Sequence, residues 1–139
     1  MKKALRGICW LHTGQWPLFI GICCDEKAFR AKIASLGMEY NDDFIPERGH
    51  AATHYFMHPD QGLIQIMAIR TPKKTGRTPE SYASLVAHEA VHMLQELKER
   101  ISPHEPFGRE AEAYFVQHVV MEALAFLNET GMTKVHSPR

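Results

Sequence analysis

Two histidines and a glutamate lie within five residues of one another. Residues 87–92 read Ala-His-Glu-Ala-Val-His, so His88 and His92 stand four positions apart and Glu89 directly follows the first histidine. In an α-helix this spacing puts both imidazoles on one face, where they can reach one tetrahedral metal ion. Zinc lowers the pKa of a bound water to about 7, and a neighbouring carboxylate can take its proton. The motif predicts a zinc site at His88 and His92 with Glu89 as general base.

The residues around this motif favour a functional site. The alternative is an ordinary helix that carries two polar histidines and an ion-paired glutamate, because nine histidines in 139 residues can produce the spacing by chance. An accidental match would usually lie on a charged, exposed helix. Here the neighbouring residues are uncharged: Leu85, Val86, Ala87, Ala90, Val91, Met93 and Leu94.

A catalytic zinc also needs a third protein ligand and one open coordination position. In the metzincin pattern a glycine lies three residues, and a third histidine six residues, after the second histidine. Gln95 and Lys98 occupy those positions, which excludes that class, and no cysteine follows His92. The remaining candidates are two carboxylates on the next predicted helix, Glu110 and Glu112.

With these residues the chain resembles the gluzincins, in particular their minimal-scaffold and phage-type zinc peptidases. The resemblance covers mainly residues 88–117 and the strand-before-helix layout upstream. It implies that a glutamate about twenty residues after the second histidine completes the zinc site, and Glu110 stands eighteen residues after His92. The sequence Glu-Ala-x-Ala-Tyr from Glu110 to Tyr114 is similar to the ligand helix of such proteins. Larger gluzincins often have an acid where this chain has Tyr114.

Periodicity alone leaves the third ligand open. The predicted apolar stripe of the last helix has Glu110 on one edge and Glu112 on the other, the latter among more apolar neighbours. A lone carboxylate in apolar surroundings needs a partner, which favours Glu110. The stripe consists of Ala113, Val116, Val120, Ala123, Leu124 and Leu127.

An oxyanion stabiliser or a group supporting the metal ligands is a further requirement of hydrolysis. Tyr114 and His118 are possible candidates, and His104 and Arg109 are also near in sequence. The hairpin region offers His50, His54 and His58, and no spacing argument selects one residue of this set.

Turn and capping residues predict where the helices, strands and loops lie. Residues 17–24 predict a buried strand, and Asp25 and Gly37 bound a helix. A hairpin is expected from strands 53–57 and 62–69, and the second of these could pair with a substrate peptide if it lies at a sheet edge. Thr78 with Pro79 begins a helix that ends near residue 100, and another spans 109–128. Residues 70–77 and 102–108 are predicted loops, and the tail 132–139 is predicted to be flexible.

Composition limits the partners. Sixteen basic residues balance sixteen acidic ones, so nothing in the net charge attracts nucleic acid or an anionic membrane. Lys73, Lys74 and Arg77 form a basic loop without aromatic residues, a weak basis for nucleic-acid binding. No apolar run is long enough to span a bilayer. Three cysteines, two of them adjacent, predict reduced thiols in a cytoplasmic protein rather than a disulfide framework.

Together these features predict one α+β zincin-like domain. Its sheet-rich part is residues 1–70, and its two-helix metal-site part is residues 78–128. We expect a small, mostly antiparallel sheet packed against two long C-terminal helices. The predicted function is a zinc peptidase that acts on a peptide or protein. The alternative is an inactive zinc-binding structural or assembly module of the same fold.

Overall fold

The computed structural model describes residues 7–14, 16–71, 77–101 and 108–129. The elements in these ranges are strands β1 (Ile8–Trp10), β2 (Leu18–Cys23), β3 (Ala51–His58) and β4 (Gly62–Ile69), and helices α1 (Glu26–Ser35), α2 (Pro79–Ile101) and α3 (Arg109–Glu129). The protein is therefore α+β, as predicted. It divides into two compact units, Met1–Arg70 and Thr71–Arg139. This boundary coincides with the predicted change from a sheet-rich to a helical part, whereas a single zincin-like domain stays a prediction.

The first unit contains a four-stranded mixed sheet in the order β1-β2-β4-β3. The β1–β2 and β3–β4 pairs are antiparallel, and β2 and β4 are parallel. Two of the three pairings are thus antiparallel, in agreement with the prediction. Because β4 has a neighbour on each side, residues 62–69 do not form a sheet edge, and the condition for their pairing with a substrate peptide is not met. The edges of the sheet are β1 and β3.

Local signals fix the limits of α1 and of the hairpin. The Asp25 carboxylate accepts the backbone N–H of Ala28 at 3.3 Å and so caps α1, and its other oxygen accepts the N–H of Gly7 at 3.1 Å. Gly37, directly after the C-cap residue, has a φ of +70°, the left-handed conformation that glycine adopts most readily. Gly62 has a φ of +77° where β4 leaves the hairpin turn. The predicted α1 and hairpin are confirmed, with β3 longer at both ends than expected.

The core of the first unit lies between α1 and one face of the sheet. Phe29 and Ile33 of α1 pack in a buried cluster with strand residues and with Phe44 from the following loop. The strand members of this cluster are Cys23, Phe56, Ile64, Ile66 and Ala68. The residues of β4 from Leu63 to Ile69 are buried on both faces, so this strand is covered on both sides.

Strand β1 does not follow from the sequence pattern. It has three residues, and its only described strand partner is β2, through the pairs Ile8–Cys23, Cys9–Ile22 and Trp10–Gly21. Three residues are too few to show the alternation that identifies a strand. The position of Gly21 shows how the two strands fit. A Cβ atom there would lie 2.6 Å from Ile8 Cγ2 and 3.2 Å from the Trp10 ring.

The second unit contains the two long helices, whose bounds agree with the predicted ones. The Thr78 hydroxyl accepts the N–H of Ser81 at 3.2 Å, and Pro79 is the first helical residue, as expected for this pair. Helices α2 and α3 contact each other. No helix in the described part of the chain is long and apolar enough to cross a membrane. The predicted loop residues 72–76 and 102–107 and the tail 132–139 lie outside the described residues.

The predicted apolar stripe of α3 is contradicted at Ala113 and is only partly buried at Val116, Val120 and Leu124. Ala123 and Leu127 are buried, but Ala113 is exposed and the other three are half-buried. The buried face instead includes Phe115, Val119 and Phe126. These residues lie along the edge of the predicted stripe that carries Glu112. Because apolar residues occur on most sides of α3, periodicity did not single out the buried one. This face of α3 is buried because its two phenylalanines are large apolar side chains, whose burial removes the most surface from water.

Candidate metal centre

His88 and His92 lie side by side on α2. Their Nε2 atoms are 3.1 Å apart, and their ring centroids are separated by 4.7 Å with an interplanar angle of 80°. Both side chains are exposed, so an ion can reach the ring nitrogens from solvent. The structure thus brings together the two residues that the helical spacing predicted as ligands.

The separation of the two nitrogens suits a metal ion. Zinc–nitrogen bonds of 2.0–2.1 Å at a tetrahedral angle place two ligand nitrogens about 3.3 Å apart. The observed 3.1 Å differs from this value by a few tenths of an ångström, which a small side-chain rotation accommodates. The histidine pair therefore fits two positions of a zinc coordination sphere.

Glu89 occupies a different side of α2 from the histidines. It is only 7% exposed and belongs to the buried face, with Tyr82, Val86, Ala90 and Met93. The adjacent position in a helix is rotated by about 100°, so Glu89 leaves the helix well away from the direction of His88. A role for Glu89 at a metal-bound water stays a prediction, and its burial places the carboxylate in a region shielded from bulk water.

The third ligand is not brought to the histidine pair. Within residues 7–14, 16–71, 77–101 and 108–129, no group of three His, Cys, Asp or Glu side chains is placed to hold a metal ion. Glu110 is exposed in the first turn of α3. Its ligation of zinc stays a prediction of the resemblance.

Glu112 forms an ion pair with Lys98. Its Oε1 lies 2.5 Å from Nζ of Lys98. The side chain of Lys98 is 41% exposed and that of Glu112 is 28% exposed. This ion pair joins the C-terminal part of α2 to the first turn of α3. Lys98 stands six residues beyond His92, about 9 Å along the helix axis. A carboxylate in apolar surroundings was expected to need a partner, and Lys98 supplies it, so Glu112 would have to leave this pair to bind zinc.

The other candidate residues have distinct environments. Tyr114 is 61% exposed on α3, and His118 is half-buried on the same helix. In the first unit, the ring of His54 is hydrogen-bonded at both nitrogens, to the Tyr40 hydroxyl and to the Phe44 carbonyl, each at 2.7 Å. His58 accepts two backbone N–H groups at Nδ1 in the hairpin turn. These contacts give His54 and His58 structural roles.

Sequence analysis missed Gln95 as part of the site. Its side-chain oxygen lies 3.1 Å from His92 Nδ1, on the side of the ring opposite His88. The signal was available, because residues three apart in a helix are neighbours. In the sequence pattern, Gln95 stands out only as the position where a metzincin would carry glycine.

Comparison of the chain with protein-family models, with curated proteins and with solved structures gives no match.

Proposed function

We propose that the protein is a zinc-dependent peptidase that hydrolyses amide bonds in a peptide or protein substrate. The observation that carries this proposal is the exposed histidine pair on α2, with Nε2 atoms 3.1 Å apart. The order His-Glu-x-x-His around it supplies both ligands and a carboxylate for proton transfer. The reduced thiols expected of the sequence support a cytoplasmic location for this enzyme.

Each residue has one task in this proposal. His88 and His92 would hold zinc through Nε2, and Glu110 would complete the set of protein ligands. When bound, zinc would acidify a coordinated water and polarise the substrate carbonyl. Glu89 would accept the proton of the attacking water and then deliver it to the leaving amine. Tyr114 or His118 would donate a hydrogen bond to the oxyanion that forms.

Metal content is the first test of the proposal. We expect about one zinc per chain in wild type, and its loss in His92→Ala. Loss in only one of Glu110→Ala and Glu112→Ala would name the third ligand, and the Lys98 pair leads us to expect Glu110. Wild-type protein that holds no zinc after purification without chelators and after reconstitution would contradict the proposal.

Hydrolysis of a library of internally quenched peptides is the second test. Glu89→Gln should keep zinc and lower the rate by at least about 100-fold, as expected for loss of a general base. Glu99→Gln is the matched control, because Glu99 is an exposed glutamate on the same helix, and it should retain the wild-type rate. Equal rates for Glu89→Gln and wild type would refute the assigned role of Glu89.

A second candidate function is a zinc-binding structural or assembly module without hydrolysis. Two observations favour it: Glu89 is buried while both histidines are exposed, and Glu112 is already paired with Lys98. In this case zinc would contribute to stability by linking side chains that the unfolded chain does not hold together. Wild type would then bind zinc and become more stable, yet no peptide of the library would be cleaved.

A further inference from the structure

The contact between Gln95 and His92 determines which ring nitrogen of His92 carries the proton. Oε1 of Gln95 lies 3.1 Å from His92 Nδ1. An amide oxygen can only accept a hydrogen bond, so Nδ1 of a neutral His92 is the donor. The proton is then on Nδ1, and Nε2 keeps its lone pair.

That lone pair points toward the other histidine. Nε2 of His92 is 3.1 Å from Nε2 of His88, close enough for a hydrogen bond. In this tautomer of His92, the lone pair would accept the Nε2–H of a His88 that carries its proton on Nε2. A histidine that binds metal through Nε2 needs this same tautomer, and its other ring nitrogen usually donates to a fixed acceptor. His92 thus has the arrangement of a ligand before any ion is present.

We propose that Gln95 is a positioning residue that holds His92 in the Nδ1–H tautomer, with its Nε2 lone pair directed at the metal position. For its effect on zinc this inference rests on the proposed function, whereas the tautomer itself does not depend on zinc. Gln95 is exposed and lies three residues after His92, so the contact forms within α2.

The first experiment measures the tautomer of His92 without metal. Long-range proton–nitrogen NMR spectra of the metal-free protein at a pH of about 8, where an ordinary histidine is neutral, distinguish the two ring nitrogens. We expect the Nδ1–H form of His92 in wild type and in Gln95→Glu, whose carboxylate also accepts. Gln95→Leu should increase the Nε2–H form. A wild-type His92 in the Nε2–H form would overturn the inference.

The second experiment titrates the same proteins with Zn²⁺ in competition with a chromophoric chelator. Gln95→Leu should weaken zinc binding by about 10-fold, as expected for a residue that orients a metal ligand, and Gln95→Glu should restore it. Gln117→Leu is the matched control, because Gln117 is an exposed glutamine on α3, and it should bind like wild type.

Equal affinity of Gln95→Leu and wild type would overturn the inference while leaving the proposed function intact. A wild type without zinc affinity would overturn the proposed function, and the tautomer would still decide the role of Gln95.

Discussion

Three of the described histidines, His54, His88 and His92, represent two contrasting environments. His54 is buried, and its two ring nitrogens are both committed, one to the Tyr40 hydroxyl and one to the Phe44 carbonyl. His88 and His92 are exposed, and their Nε2 atoms face each other. A buried ring with its hydrogen bonds complete contributes to folding, whereas two exposed rings with converging nitrogens can bind an ion. The environment of each ring therefore separates structural histidines from ligand candidates.

The Tyr40–His54 hydrogen bond should contribute measurably to stability. Tyr40→Phe removes the hydroxyl 2.7 Å from His54 Nδ1 and leaves a ring nitrogen in a buried site without that donor. We expect the free energy of unfolding to fall by about 1–3 kcal/mol, the usual effect of leaving a buried polar group unsatisfied. Urea unfolding followed by circular dichroism measures the change.

Tyr114→Phe is the matched control for this prediction. Tyr114 is 61% exposed, so loss of its hydroxyl should alter stability by less than about 0.5 kcal/mol. If both variants unfolded at the same urea concentration as wild type, the buried hydrogen bond would have no net effect on folding.

At the scale of elements, local chemistry could be predicted and long-range pairing could not. Asp25 and Thr78 act on backbone groups within three residues of themselves, so their capping follows from the sequence. The parallel β2–β4 pairing joins Leu18 to Leu63, and no local pattern marks such a partner. The same division holds at the candidate site. The histidine pair lies within one helical turn and was predicted, whereas Lys98–Glu112 joins two helices and was not.

The close fit of β1 on β2 leads to a prediction about Gly21. An alanine Cβ there would lie 2.6 Å from Ile8 Cγ2, a distance at which either the Ile8 side chain or one of the two strands must shift. We expect Gly21→Ala to lower the free energy of unfolding by about 1–3 kcal/mol, as overpacking usually does. Thermal and urea unfolding of the variant provide the measurement.

A double-mutant cycle separates this clash from a general effect of alanine in the strand. Ile8→Ala removes the methyl group that the new Cβ would meet, so the double variant should lose less stability than the sum of the two single variants. Additive losses, within about 0.5 kcal/mol, would contradict the described packing of Ile8 against Gly21.

At the scale of the whole molecule, folding changes the ionisation of three groups in the first unit. Burial raises the pKa of the Cys23 thiol from 9.0 to about 11 and that of the Cys24 thiol from 9.0 to about 12. Burial also raises the pKa of Tyr40 from 10.0 to about 12. Because each group is neutral when protonated, the folded chain retains these protons to a higher pH than the unfolded chain does.

These shifts predict a loss of stability in alkaline solution. Above pH 9.0 the unfolded chain releases the two thiol protons, whereas the folded chain keeps them until about pH 11. A rise in pH over this interval therefore stabilises the unfolded state relative to the folded state. The free energy of unfolding should be level below pH 8 with respect to these groups. Between pH 9 and 11 it should fall by up to about 1.4 kcal/mol per pH unit for each thiol. Urea unfolding at a series of pH values measures this slope.

The double variant Cys23→Ala/Cys24→Ala should show a smaller slope over the same interval, since only Tyr40 would still contribute among the three groups. An equal slope in the variant and in wild type would assign the alkaline loss to other groups and contradict the burial of these thiols as its cause.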